Sequence, residues 1–464
     1  MATANPLVLR RLCGPLLVTV WLLLLGCQMR TEPSAVSTQA TQTGDIAATD
    51  AVGTDVDLSA GASYTATKTS YPLVQLGLTN QRLDGNRVVD GYTDLSTITP
   101  IDVALDGKPA WVAAVPTEDG VLWGVVLEDG RTQAVLVADG TVISVPTSPA
   151  QLPAAMPPTL EYIDGVATFV VADGAVSPVT NAVPVGDSII TVGSDGDLII
   201  EDPEQTSILD TDALPDARLL VDDDERVLFV SNPTERYPHG VLGDGVEAAS
   251  ITLAELTPEP HVVRTFDVPA PSVLEGIAPI WTDLNGDGVR EIVVTLSDAV
   301  GGARVVAYAE DGSVVAQGPP AGHGDRWRHP IAVAPFGPLG ELELAVILTP
   351  HIGGVVEFYT LEDRRLKIVA TLPGFTSHVL GSRNLDMAVA AAPSGEGQAV
   401  LLAPSQDRSH IGAIRHGTNG AETAWIIDVD GLIVTNVGAA GMDDDRLSVS
   451  VGRSDSTLRI WQPD

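Results

Sequence analysis

The sequence predicts an all-β fold, and three observations carry that expectation. Short apolar, β-branched runs follow one another from about Tyr71 to the end of the 464-residue chain. Asp-Gly pairs punctuate them, as at Asp106-Gly107, Asp119-Gly120, Asp129-Gly130 and Asp139-Gly140, and this dipeptide favours tight hairpins because both residues tolerate positive φ. No long stretch carries the 3.6-residue period of an amphipathic helix. The chain holds 61 acidic against 25 basic residues, a formal charge of −36, which repels phosphate backbones and argues against a nucleic-acid partner. With 44% hydrophobic residues it still has material for a core.

The first element is an address. Arg10-Arg11 precede an apolar run from Leu12 to Gly26, too short to span a bilayer and suited to a secretory signal. The run closes Leu24-Leu25-Gly26-Cys27. This resembles the bacterial lipoprotein signal, and the resemblance implies a signal peptide over 1–26, cleavage before Cys27 and a lipidated Cys27 that anchors the chain in a membrane. Gln28, where an Asp would favour retention, points to the outer membrane, on its periplasmic or surface face. An ordinary signal peptide with an incidental Cys is the alternative. Residues 28–66, rich in Thr, Ser, Ala, Gly and Asp, read as a flexible tether, so that 27–66 forms a linker. Cys13 and Cys27 are the only cysteines, which excludes a disulfide, a thiolate metal site or a thiol nucleophile from 67–464.

Within 67–464 a repeat refines the fold. Residues 291–302, EIVVTLSDAVGG, match 343–354, ELAVILTPHIGG, without a gap, and each is followed by another strand. A looser copy starts near Asp386 as DMAVAAAP and continues QAVLLAP at 398–404. A period of 40–50 residues with four strands per unit predicts a β-propeller of seven or eight four-stranded blades. Two β domains divided near 205–215 are the alternative. The closing segment 448–464 is similar to the last two strands of a tryptophan–aspartate repeat.

One motif is dense in chemistry. In TDLNGDGVREIVV, residues 282–294, Asp283, Asn285 and Asp287 alternate, Gly288 follows and Glu291 stands ninth. Alternate short oxygen-bearing side chains, the Val289 carbonyl and Glu291 match the six to eight oxygen donors that calcium prefers. An EF-hand is excluded, because its twelfth position is here Val294 and a strand follows. The loop resembles the calcium loop of FG-GAP and VCBS repeats, the integrin-α type of propeller, and that resemblance implies Ca2+ as a structural ion. Residues 335–343, PFGPLGELE, hold the equivalent place without Asp. Asp443-Asp444-Asp445 resembles a remnant, and Asp222-Asp223-Asp224 reads as a hairpin turn.

A weaker constellation is formed by His239, His329 and His378, each placed ahead of the first strand of an expected blade, with Glu275 in the corresponding place before the calcium loop. Arg236 and Arg326 lie three residues before His239 and His329. Together these could face the channel and hold a transition metal or an anionic ligand; capping of strand ends or solvation is the bland alternative. No nucleophile elbow, phosphate loop or HExxH is present. The expectation is therefore a lipid-anchored envelope propeller that binds or scaffolds a protein or carbohydrate partner. The alternative is a sugar-directed lyase, hydrolase or dehydrogenase whose site lies at the channel mouth.

Overall fold

The computed structural model describes residues 75–463, and these are all-β apart from two single-turn 3-10 helices. The signal peptide 1–26, Cys27 and the tether to residue 66 lie outside the described residues. Eight successive sheets can be traced. Sheet I contains Pro109–Thr117, Gly120–Leu127, Thr132–Ala138 and Thr141–Val145 as a meander. Sheet II pairs Thr159–Ile163 with Val166–Phe169, edged by Gly77–Leu78 and Thr147–Ser148. Sheet III runs from Val183–Val185 to Thr206–Leu209 and sheet IV from Leu220–Val221 to His261–Asp267, each with four strands in chain order.

In sheet V the first strand is kinked into Val273–Leu274 and Ile280–Thr282; Glu291–Ser297, Arg304–Tyr308 and Val314–Gln317 follow. Sheet VI spans Arg328–Ala334 to Arg365–Pro373, and sheet VII Val389–Ala392 to Gly420–Asp428. Single pairings, Ala248 with Leu274 and Gln317 with Arg365, join IV, V and VI edge to edge. Sheet VIII takes Ile433–Met442, Arg446–Arg453 and Thr457–Trp461 from the end of the chain and its fourth strand, Ile101–Ala104, from the beginning. The C-terminal segment therefore supplies the second and third strands of a sheet rather than its last two.

The core lies between consecutive sheets. Trp111, Leu136 and Phe169 pack I on II, and one continuous cluster runs through II, III, IV and V. Further clusters join V to VI, VI to VII and VII to VIII. Val112, Trp123, Leu458 and Ile460 then bring VIII back onto I. Apolar packing is continuous across 205–215, where two β domains were the alternative, and the described residues belong to one compact unit. The middle strand Glu291–Ser297, covered on both faces, is buried at every residue and mostly apolar. Fourth strands such as His261–Asp267 and Thr141–Val145 are mostly exposed.

Several expected hairpins form as read. Asp139-Gly140 and Asp164-Gly165 both take positive φ between paired strands, and Asp222-Asp223-Asp224 turns the chain between the first two strands of IV. Asp106-Gly107 and Asp430-Gly431 instead connect one sheet to the next. In the third repeat copy, DMAVAAAP makes the first strand of VII and QAVLLAP the second, so Gln398 takes the place of Glu291 and Glu343.

Beyond Gly77–Leu78, its edge strand in sheet II, the segment 77–92 belongs to none of these meanders. This segment runs past the first strands of successive sheets and is bonded to them in turn. Val221 N donates to Leu83 O (2.9 Å), Trp281 N to Asp84 O (2.9 Å) and Ala390 N to Arg87 O (2.8 Å). The Asn86 amide exchanges two bonds with the Val333 backbone, both 2.9 Å, reproducing a ladder pair with a side chain. Val88–Asp90 lies parallel to Ala390–Ala392, and Tyr92 N reaches Asp445 O. The approach is close enough to demand glycine at Gly441, where a Cβ would meet Asp90 O at 2.1 Å.

Candidate functional site

Two regions carry chemistry, at opposite ends of the first strand of sheet V. Glu275 sits in the kink near its start, and the 283–291 loop leaves its end. Loops joining first to second strands and loops joining second to third strands emerge at opposite ends of an antiparallel meander. The loop 283–290 thus lies away from the second-to-third loops of IV and VI, which carry His239 and His351.

The histidine region is assembled from four sheets. His239 lies between the second and third strands of IV, not ahead of a first strand as the sequence suggested; His329 is the second residue of its strand in VI, and His378 precedes the first strand of VII. The Glu275 carboxylate, fully buried, is hydrogen bonded to His239 Nδ1 and accepts from Ser297 Oγ. Trp327 Nε1 donates to Glu275 O at 3.0 Å. Rings then follow in a row: His239 to His351 at 6.5 Å, His351 to His378 at 6.1 Å, His378 edge-on to Trp327 at 5.0 Å, and Trp327 stacked on His329 at 4.8 Å. His378 Nε2 donates to Ser382 O (2.7 Å), which leaves the lone pair on Nδ1, and that atom has no partner. His329 Nδ1 pairs with Ser377 Oγ at 2.9 Å.

Burial sets the protonation states. It lowers His378 to about 4 and holds His329 well below the usual imidazole range, helped there by the Arg87 charge. His351 is lowered by burial and then by His239. At His239 burial also opposes the charge, but the Glu275 and Asp325 carboxylates outweigh it and raise the pKa. Burial, reinforced by Glu275, pushes Glu247 up to about 9, so this carboxyl stays protonated at neutral pH. The hydrogen-bonded pair His239–Glu275 thus stands beside three imidazoles that burial holds toward their neutral form and a neutral acid. This set can exchange protons and hydrogen bonds. Among the described residues no three His, Cys, Asp or Glu side chains gather to hold a metal ion. The cavity lined by Glu275, Trp327 and His329 measures about 20 Å³, room for one water.

The two arginines expected here do not join. Arg236 is exposed and donates to Ser272 O, while Arg326 is exposed and reaches Ala321 O at 3.4 Å. The buried arginines among the described residues are Arg87, Arg218, Arg328, Arg453 and Arg459. Arg328 opens the strand, and its Nε pairs with Glu357 at 2.9 Å. Sequence reasoning also missed His351, Trp327 and Glu247. The only available signal was His351 at the repeat position matching Ala299.

The acidic loop closes on itself. Asp283 accepts from Gly286 N (2.6 Å) and Gly288 N (2.8 Å), Asn285 Oδ1 from Asp287 N (2.8 Å) and Asp287 Oδ1 from Val289 N (2.8 Å). Glu291, buried at the strand start, accepts from Leu284 N (2.8 Å) and Asn285 Nδ2 (3.2 Å). Burial raises its pKa, and Asp287 and Asp283 add to the rise. The donor chemistry, three carboxylates and an amide oxygen, suits a hard cation. Their present positions do not converge on one point.

No protein-family model matches the chain, and no curated protein matches it. Among solved structures it is similar to BamB from Moraxella catarrhalis, with 12% identity over 79% of this chain and 97% of that one and a TM-score of 0.41. It is also similar to the computationally designed Ika8 protein, with 10% identity over 78% and 98% and a TM-score of 0.43. A europium-containing methanol dehydrogenase gives 8% identity over 82% and 90%, with a TM-score of 0.41. Likeness at this level says nothing of a partner, a cofactor or a reaction for this chain.

Proposed function

We infer that the chain is a lipid-anchored protein of the bacterial envelope, held through Cys27 at the outer membrane. Its eight sheets form a propeller of FG-GAP/VCBS type that binds or scaffolds a protein or carbohydrate partner, with one calcium ion in the 283–291 loop. The observation that carries binding over catalysis is the segment 77–92, which lies against the first strands where a channel ligand would sit. A partner then meets the loops at the strand ends. Val300 and Ile352, 72% and 70% exposed, stand at matching repeat positions on the loops beside the histidines and supply apolar contacts. Calcium is supported by the oxygen donor set and by the crowding of acids around Glu291, whose pKa burial raises first and Asp287 and Asp283 raise further; Asp283, Asn285, Asp287, Glu291 and the Val289 carbonyl would hold it and fix the loop.

The test is photo-crosslinking in living cells. A probe at Ile352 is expected to capture an envelope protein or a glycan, and one at Val289, at the other strand ends, is not. Capture from neither place overturns the binding reading. The meeting of His239, Glu275 and His351 favours a second reading, a sugar-directed lyase, hydrolase or dehydrogenase. Turnover of a sugar that His239→Ala abolishes would establish it, and no turnover across a panel of polysaccharides and sugars dismisses it.

A further inference from the structure

A second buried cluster, made of charged side chains, is used by none of the foregoing. Arg87, on the 77–92 segment, and Arg218, ahead of the first strand of IV, both reach Asp386, ahead of the first strand of VII. Arg87 Nε donates to Asp386 Oδ1 at 2.8 Å and Arg218 Nη2 to Oδ2 at 3.4 Å, while Thr79 Oγ1 donates to Oδ2 at 2.7 Å. The three ionic side chains are 1%, 4% and 1% exposed. Two guanidinium ions share one carboxylate, and although the Arg218 group lies 5.7 Å from the centroid of the Trp111 ring, a net positive charge remains out of water. The next acid, Asp216, is engaged by Arg383 at 2.7 Å, and burial pushes it toward its neutral form.

Hydrogen bonding points the same way. Arg87 Nη1 and Nη2 and Arg218 Nε are buried and have no acceptor, and neither has His329 Nε2 a partner. The His329 ring lies near enough to Arg87 for the guanidinium to oppose its protonation. Buried guanidinium N–H groups that lack acceptors are strongly disfavoured, and a folded chain does not leave several of them unmatched where a bound species can accept from them.

The geometry points to a buried binding site for one monovalent inorganic anion of about chloride's size, held by the Arg87 and Arg218 guanidinium groups. One negative charge brings the cluster to neutrality and accepts the orphaned N–H groups. Water would satisfy the hydrogen bonds and leave the charge, and a divalent oxyanion would overshoot it. The anion pins the 77–92 segment to sheets IV and VII.

The test uses the whole protein. Crystals grown with bromide in place of chloride are expected to show an anomalous peak at Arg87 and Arg218; an ordered water there, with no anomalous signal, overturns the proposal. In solution, exchanging gluconate for chloride or bromide at constant ionic strength is expected to raise Tm by several degrees and to saturate, as specific binding to the native state does. In Arg218→Met, where Arg87 and Asp386 form a neutral pair, the rise vanishes. A wild-type Tm indifferent to halide, or an undiminished rise in Arg218→Met, overturns the proposal. The diffraction experiment needs no variant and decides the question if Arg218→Met does not fold.

Discussion

The acidic loop and the histidine cluster share one strand of sheet V and differ in how they are made. The loop is nine consecutive residues whose side chains bond to their own backbone. The cluster draws Glu275, His239, His351, His378 and Trp327 from four sheets and binds them through buried groups. The loop is local and mostly exposed, and the cluster is non-local and mostly buried. The difference teaches where stability and titration should be concentrated. Charge removed from the buried side is costly, because its partner is left in low dielectric, whereas charge at the exposed loop is screened.

The largest break in that contrast would come from the buried ion pair that begins one residue before His329. Arg328 and Glu357 are each 5% exposed, and Tyr359 Oη also donates to Glu357. Glu357→Ala strands the guanidinium and is expected to cost about 3–5 kcal/mol in urea unfolding. A loss below about 1 kcal/mol would mean that this side is as open to water as the loop.

Acid should find the same asymmetry. Burial lowers His378 from 6.5 to about 4, so folding keeps it neutral. The sign follows from linkage: the stability it supports is complete above pH 6.5 and is lost as pH falls from there through about 4. The drop is on the order of 3 kcal/mol, and His378→Gln should flatten it. Glu247 works in the opposite direction. Its pKa is raised from 4.5 to about 9, so the folded state holds its proton and stability declines as pH rises across that window. Glu247→Gln is therefore expected to leave Tm unchanged near pH 4.5 and to raise it by a few degrees at pH 8. Equal Tm at both values would put Glu247 in contact with water.

What could be read in advance follows the same division. The hairpins, the repeat and the acidic loop are local, and each is written in residues within a dozen positions of one another. His239, Glu275, His329 and His378 could be proposed because they precede or enter strands, but their meeting depends on sheet order. Arg326 stands out in the sequence only by its spacing from a histidine. Once the strand opens at Arg328, Arg326 belongs to an exposed loop. The 77–92 segment left no trace, since NRVVD reads as one more short strand, and only the folded chain brings Arg87 against Asp386.

The smallest effects belong to the loop, and they sharpen the comparison most. If 283–291 holds calcium, the ion neutralises three carboxylates, one of which, Glu291, is held toward its neutral form by burial and then by Asp287 and Asp283. Binding at 100 times Kd stabilises by about 2.7 kcal/mol, so chelation is expected to lower Tm by a few degrees in the wild type and not in Asp287→Ala. Asp223→Ala is the control. It removes a half-exposed partner of Arg290 beside the loop, at 2.9 Å, and should change stability by about 0–1 kcal/mol while leaving the calcium response intact. A chelator that shifts neither protein would leave an acidic turn satisfied by its own N–H groups, and the loop would then differ from the histidine cluster in having no ligand to lose.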